Sequence, residues 1–151
     1  MLINTKNFGE VEINENDIFT FEEGIPGFPN LKKYTILREH SDDYPFYWFQ
    51  SLDDSEICFI IMDVFNILPD YNPIVNDDEL KYIGKVEGNN LLIYNIVVIP
   101  ECVSKMSVNL KAPIVINLDT KKGRQLIVNN DDYEIKYYFY EEMKKQKKEE
   151  H

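Results

Sequence analysis

The stretch PFYWFQS, Pro45 to Ser51, carries four consecutive aromatic residues and no charge. Successive side chains of a β-strand point to opposite faces, so Tyr47 and Phe49 share one face while Phe46 and Trp48 share the other. A strand of an antiparallel sheet with one wet side alternates between apolar and polar residues; a strand apolar on both sides needs two covers. One face of this strand therefore belongs to a core, and the other lies under a loop, a helix or a partner. Two readings of the second face stand. Either it is buried, beneath the loop from Phe21 to Pro29, or it lines an exposed groove, since Trp and Tyr are favoured anchors at interfaces.

The same period runs outward in both directions. VEIN (11–14), DIFTF (17–21), KYTILRE (33–39), EICFIIMD (56–63), LLIYNIVVI (91–99), APIVINL (112–118) and RQLIV (124–128) are short and rich in β-branched and aromatic residues. Turn signals separate them: Asn14-Glu15-Asn16, Asp42-Asp43, Asp53-Asp54, Gly88-Asn89-Asn90, Lys121-Lys122-Gly123 and Asn129-Asn130-Asp131. This spacing predicts a mainly β fold, a small antiparallel β-barrel-like single domain with one or two short helices. One helix is expected from Asn76, a suitable N-cap, through the acids of NDDELKYIG to Gly84. Tyr133, Ile135 and Tyr137 alternate with Glu134 and Lys136, which fits a last strand. The division expected is a β domain over residues 1–137 and a charged tail over 138–151, which forms a solvated helix or frays.

FEEGIPGFP (21–29) concentrates two glycines and two prolines among apolar residues. It does not match a phosphate loop. It reads as a packed corner: Gly24 and Gly27 allow the bend, Pro26 stiffens it, Phe21 points inward, and Ile25 or Phe28 stays partly exposed.

Charge narrows the function classes. With 27 acidic and 16 basic residues among 151, the chain carries −11. A nucleic-acid backbone repels such a surface unless basic groups are concentrated on it. The one basic cluster, KKQKKEEH, is interrupted by glutamates, so direct nucleic-acid binding is disfavoured. An aromatic platform for single-stranded RNA would need the same basic funnel. The charge suits a basic partner protein, or serves solubility alone. Two cysteines, Cys58 and Cys102, do not make a disulfide framework, and Cys58 sits in an apolar run. No secretory leader or membrane-length apolar run is present, so a cytoplasmic protein with no membrane partner is expected.

A catalytic site cannot be argued. His40 and His151 are the two histidines, far apart, and neither CxxC spacing nor GxSxG nor HExxH occurs. Asp53-Asp54 and Asp77-Asp78 read as turn and cap residues rather than metal ligands. The amides Gln50, Asn95, Asn109, Asn117 and Gln125 lie in or beside strands, facing outward or satisfied by neighbouring backbone. No catalytic residue, metal or cofactor is expected. The rival reading is a small barrel that holds a ligand or a flavin-type cofactor in its mouth, which a coloured preparation would reveal.

Three motifs in order, FEEGIPGFPNLKKYTIL, FYWFQSLDDSEICFIIMD and VNLKAPIVINLDTKKGRQLIV, resemble the flagellar assembly factor FliW family. The family pattern F-x-x-G-[IL]-P-G-F is met at Phe21, Gly24, Ile25, Pro26, Gly27 and Phe28, and N-L-x-A-P-I-V-I-N is met from Asn109 to Asn117. The resemblance runs from INTKNFGEVEI to about Tyr133, and nothing is carried over beyond Tyr137. It implies a non-catalytic cytoplasmic protein that binds two proteins at different times, flagellin and the small dimeric RNA-binding repressor CsrA. Flagellin occupying the protein would free CsrA to repress flagellin synthesis. Secretion of flagellin would let the free protein capture CsrA, largely allosterically. The candidate partner-binding residues are Phe28 and Tyr34 beside the corner, Trp48 and Gln50 on the aromatic strand, and Asn109, Lys111 and Asn117 around NLKAPIVIN. The acidic turn Asp53, Asp54 and Glu56 would face a basic partner.

Overall fold

The computed structural model describes residues 1–38 and 45–149; His40, the Asp42-Asp43 turn signal and His151 lie outside them. A hairpin of β1 (Leu2–Thr5) and β2 (Gly9–Glu12) leads into β3 (Ile18–Thr20), β4 (Lys33–Leu37), β5 (Phe46–Ser51) and β6 (Cys58–Met62). After a long excursion containing α1 (Asp77–Leu80) come β7 (Leu91–Val98), β8 (Ser107–Val108), β9 (Ile114–Asn117), β10 (Lys122–Gln125) and β11 (Tyr137–Tyr138). The last helix is α2 (Tyr140–Glu149).

Strands β7-β6-β5-β4-β3-β10-β9 are hydrogen-bonded in that order, and β9 returns to β7 by pairing Asn117 to Ile114 with Leu91 to Tyr94. Seven strands therefore close into a barrel, which removes most of the open edge a flat sheet would expose. All neighbours are antiparallel except β3 and β10, which meet in parallel at Thr20 and Lys122. Closure, short strands and tight turns all match the expected barrel-like fold.

Side chains fill the barrel, as they must in one this narrow. Phe19, Phe21, Ile25, Tyr34, Phe49, Ile61, Tyr94, Ile114 and Ile116 form its core. Tyr34 stacks on Phe49 with ring centroids 4.4 Å apart, and Phe21 meets both edge-on. The corner FEEGIPGFP thus plugs the interior with Phe21 and Ile25, and leaves Phe28 half-exposed against Phe59. At Gly24, φ is +66° and a Cβ would lie 2.5 Å from the Phe28 carbonyl oxygen, so glycine is required there.

Both faces of β5 are covered by the chain itself. Tyr47 and Phe49 point into the barrel. On the outer face Phe46 packs edge-on against Phe139, and Trp48 against Phe8 in the turn of the first hairpin. The expected cover, the loop from Phe21 to Pro29, lies at the inner face instead; the two ends of the chain cover the outer one. A second core sits there, where Met62, Val64, Ile67, Tyr71, Val97, Met106, Val108 and Leu110 receive Phe139, which lies between β11 and α2, and Met143 from α2. A third, smaller one packs Ile83 against Val115 and Leu126.

The helix expected after Asn76 is present as α1 followed by a 3-10 turn over Lys81–Ile83, with the Asn76 side chain accepting from the Asp78 N–H. The last strand is much shorter than the alternation suggests. Only Tyr137 and Tyr138 pair, with Val108 and Ser107. Tyr133 instead lies 4.8 Å from Tyr71, centroid to centroid, and Ile135 is exposed. A two-residue partner strand, β8, cannot support a longer one.

Candidate interaction surface

The sequence motifs converge on two stitched turns. At the end of β5, Gln50 is fully buried, and its Nε2 donates to the carbonyls of Ser51, Ser55 and Ile57 at 3.0–3.2 Å. Its Oε1 accepts from the Lys6 N–H of the first hairpin. Ser51 Oγ accepts from the N–H groups of Asp53 and Asp54, and Asp53 Oδ2 accepts from those of Lys32 and Lys33. The acidic turn is thereby tied to the corner motif. Asp53, Asp54 and Glu56 are all exposed, and among the described residues none of them forms an ion pair. Their charge is free to act outward.

The second turn interrupts the strand that runs from β8 into β9. Val97 pairs with Val108 and Tyr94 with Ile114, so residues 95–96 face the five residues 109–113. This is an enlarged β-bulge, and it leaves carbonyls without ladder partners. Asn95, buried in the gap, donates from Nδ2 to the Asn109 carbonyl at 2.8 Å and to Tyr71 Oη at 3.1 Å. Tyr71 Oη in turn donates to the Leu110 carbonyl at 2.8 Å. Asn109 Oδ1 accepts from the N–H groups of Lys111 and Ala112, and Lys111 Nζ donates to the Asn130 carbonyl. Asn117 holds the next turn, accepting from the Asp119 and Thr120 N–H groups and donating to the Lys85 carbonyl.

The ten candidate residues therefore fall into two sets. Tyr34, Gln50 and Asn117 have no exposed surface; Gln50 and Asn117 shape the turns from within, and Tyr34 belongs to the barrel core. Phe28, Asp53, Asp54 and Glu56 reach solvent, and Trp48, Asn109 and Lys111 are half-buried. Asp53 links the Phe28 corner to the Gln50 strand through the backbone of Lys32 and Lys33. Asn109, Lys111 and Asn117 belong to a separate stitched region. Ser51, Tyr71 and Asn95 complete these turns. Tyr71 carried no signal, because it lies outside any strand pattern and meets the bulge only in three dimensions.

Burial, with the charge of Asp53 second, pushes the Tyr34 phenol up to about 12. Burial does the same to Tyr71, to about 12, against the bond from Asn95. Such neutral phenols are packing groups. Among the described residues no three His, Cys, Asp or Glu side chains group to hold a metal ion, and no helix is long and apolar enough to cross a membrane.

The comparisons with known proteins agree with one another. Residues 2–139 match the family model described as FliW protein. The flagellar assembly factor FliW of Thermoanaerobacter pseudethanolicus is 44% identical over 95% of this chain and 96% of its own length. That of Ruminiclostridium cellulolyticum is 38% identical over 97% and 99%. A crystal structure of the flagellar assembly factor FliW superposes with a TM-score of 0.82 at 32% identity, covering 91% of this chain and 96% of its own. The match takes in the corner, the acidic turn, the bulge and β11 together, and the chain belongs to the FliW family of flagellar assembly factors.

Proposed function

We propose that this protein is a non-catalytic cytoplasmic regulator of flagellar assembly that binds flagellin and, alternatively, the translational repressor CsrA, relieving repression of flagellin synthesis. Family membership carries the reading. The charge of −11 supports it, because a basic RNA-binding protein is steered toward an acidic surface, whose negative potential then lies near the face that must attract RNA. Asp54 and Glu56, exposed beside the Phe28 corner, are the groups best placed to meet basic side chains. The half-buried Trp48, Asn109 and Lys111 offer further contacts, while Gln50 and Asn117 position the turns behind them and Tyr34 packs the barrel core. A barrel interior filled by stacked rings favours this reading over a flavin site.

The test is co-elution of the purified protein with purified CsrA and with purified flagellin. Each should form a complex at micromolar concentration and modest salt, and each should displace the other. Absence of both complexes would sink the proposal. A flagellin complex that leaves CsrA capture undisturbed would remove the switch.

A further inference from the structure

Strand β7 is the seam of the barrel, and it is flanked by two gaps. One is the bulge opposite residues 95–96, filled by Asn95 and Tyr71. The other is open. Strand β6 pairs only with residues 95–97 of β7, through Met62, Ile61 and Ile60. Beyond Met62 the chain leaves the sheet: Asp63 Oδ1 accepts from the Phe65 N–H and caps a 3-10 turn over Val64–Asn66, and Val64 enters the outer core. Residues 91–94 keep β9 on one side and, among the described residues, have no strand on the other.

The register fixes which backbone groups face that opening. Successive residues of an antiparallel strand send their N–H and C=O to alternate sides. The Asn90 carbonyl accepts from the Leu118 N–H, and the Ile96 carbonyl from the Asn109 N–H, so even-numbered residues point toward β8 and β9. Leu91 and Ile93 therefore present N–H and C=O to the vacated side. A groove of about 220 Å³ lies there, lined by Asp63, Phe65 and residues 91–94. That is below the roughly 300–1,000 Å³ that encloses a drug-sized ligand, which favours an occupant held along its backbone.

We propose that the Leu91–Tyr94 edge of β7 takes up an extended segment of a partner protein as an added strand, one that alternates basic and apolar residues. Unpaired main-chain groups at a sheet edge are matched by another extended backbone, and side-chain pockets beside them set the preference. Phe65, 38% exposed, stands over the outer face of the groove with Leu91 and Ile93 and receives an apolar side chain. Among the described residues the groove wall itself carries the Asp63 carboxylate, while the Arg38 guanidinium sits over the Tyr47 ring, 4.9 Å from its centroid. The whole-chain charge of −11 then selects a basic segment. Such a segment acts independently of the acidic turn, which lies at the other end of β5.

Amide exchange of the full chain tests this, with the blocked hexapeptide Lys-Val-Thr-Val-Lys-Val as probe. In the free protein the Leu91 and Ile93 amides should exchange about tenfold or more faster than those of Leu92 and Tyr94, which bond to β9. Millimolar peptide should slow Leu91 and Ile93 by a similar factor. Of two peptides N-methylated at alternate residues, one should protect and the other fail, because only one face of the added backbone meets the edge. Phe65→Ala, at an exposed ring, should leave the fold intact and weaken the peptide by about fivefold or more. No protection, equal protection by both methylated peptides, or an unchanged affinity in Phe65→Ala would each overturn the proposal. So would slow exchange of Leu91 and Ile93 in the free protein, or protection that grows with protein concentration alone, which would place a second copy in the groove.

Discussion

Gln50 occupies a position where a leucine would suit the apolar surroundings, yet it makes four hydrogen bonds to backbone groups, one in the first hairpin and three between Ser51 and Ile57. A buried donor or acceptor that loses its partner keeps its desolvation cost, about 1–3 kcal/mol per group. Gln50→Leu should therefore lower stability by about 2–4 kcal/mol, and calorimetry should show Tm falling by roughly 5–15 °C. An unchanged Tm would mean that water replaces the amide. Tyr34 and Tyr71 give a second residue-scale prediction. Both are held at about 12 when folded, above the ordinary tyrosine value of 10.0. The unfolded chain therefore loses those protons first, and stability falls as pH rises from about 10 toward 12. Below that window both groups are neutral in both states and contribute nothing to pH dependence. Alkaline titration followed by phenolate absorbance should show two tyrosines ionising only as the chain unfolds. The amides themselves were legible as strand-associated and satisfied by backbone. Which groups they satisfy was not, because Asn95 and Asn117 reach carbonyls 14 and 32 residues away and Gln50 accepts from Lys6, 44 residues away, besides closing its own turn.

At the level of elements, period-two patterning located most of the strands, since each short apolar run needed only local spacing to be read. The capped turn after Asn76 was legible for the same reason. The barrel-like class was legible too, but which strands close it and where the bulge falls were not, because pairing between β7 and β9 leaves no mark within either strand. The alternation of Tyr133, Ile135 and Tyr137 misled for a related reason. Tyr133 is drawn to Tyr71, and Asn72 N–H donates to its hydroxyl, so its ring serves the outer core rather than a strand face. The C-terminal segment illustrates how composition hides packing. YFYEEMKKQ is dominated by polar residues, yet Phe139 is fully buried and Met143 nearly so. Phe139→Ala should cost about 3–5 kcal/mol, measured by urea unfolding, whereas Lys144→Ala, at an exposed site, should stay within about 0.5 kcal/mol. Equal small effects would make α2 an appendage, with the outer face of β5 covered by something else. Asn95→Leu belongs to the same scale. It strips the Asn109 carbonyl and Tyr71 Oη of their donor, and should loosen the bulge by about 1–3 kcal/mol without opening the barrel core.

For the whole molecule, fold and charge are separable, and the acidic turn is where that separation can be measured. Asp53 is structural as well as charged, since its carboxylate holds the Lys32 and Lys33 N–H groups; replacing it confounds the two roles. Glu56 is exposed, and its carboxylate enters no ion pair among the described residues. Glu56→Lys changes the net charge from −11 to −9 with little expected effect on stability, within about 0.5 kcal/mol. Long-range attraction acts on the encounter step, while contacts formed after docking govern dissociation. If CsrA is the partner, as proposed, association of Glu56→Lys with it should therefore slow several-fold at low ionic strength, with the dissociation rate less affected. Raising salt shortens the screening length to about 10 Å at 0.1 M and about 3 Å at 1 M, so the wild-type advantage should shrink as salt rises. Stopped-flow association across a salt series reads this directly. If the two proteins associate at the same rate at every salt concentration, the charge of the acidic turn serves solubility, and recognition rests on the half-buried apolar and amide groups. If Glu56→Lys slows association while Asp53→Asn only destabilises, steering and turn geometry belong to neighbouring carboxylates with different tasks.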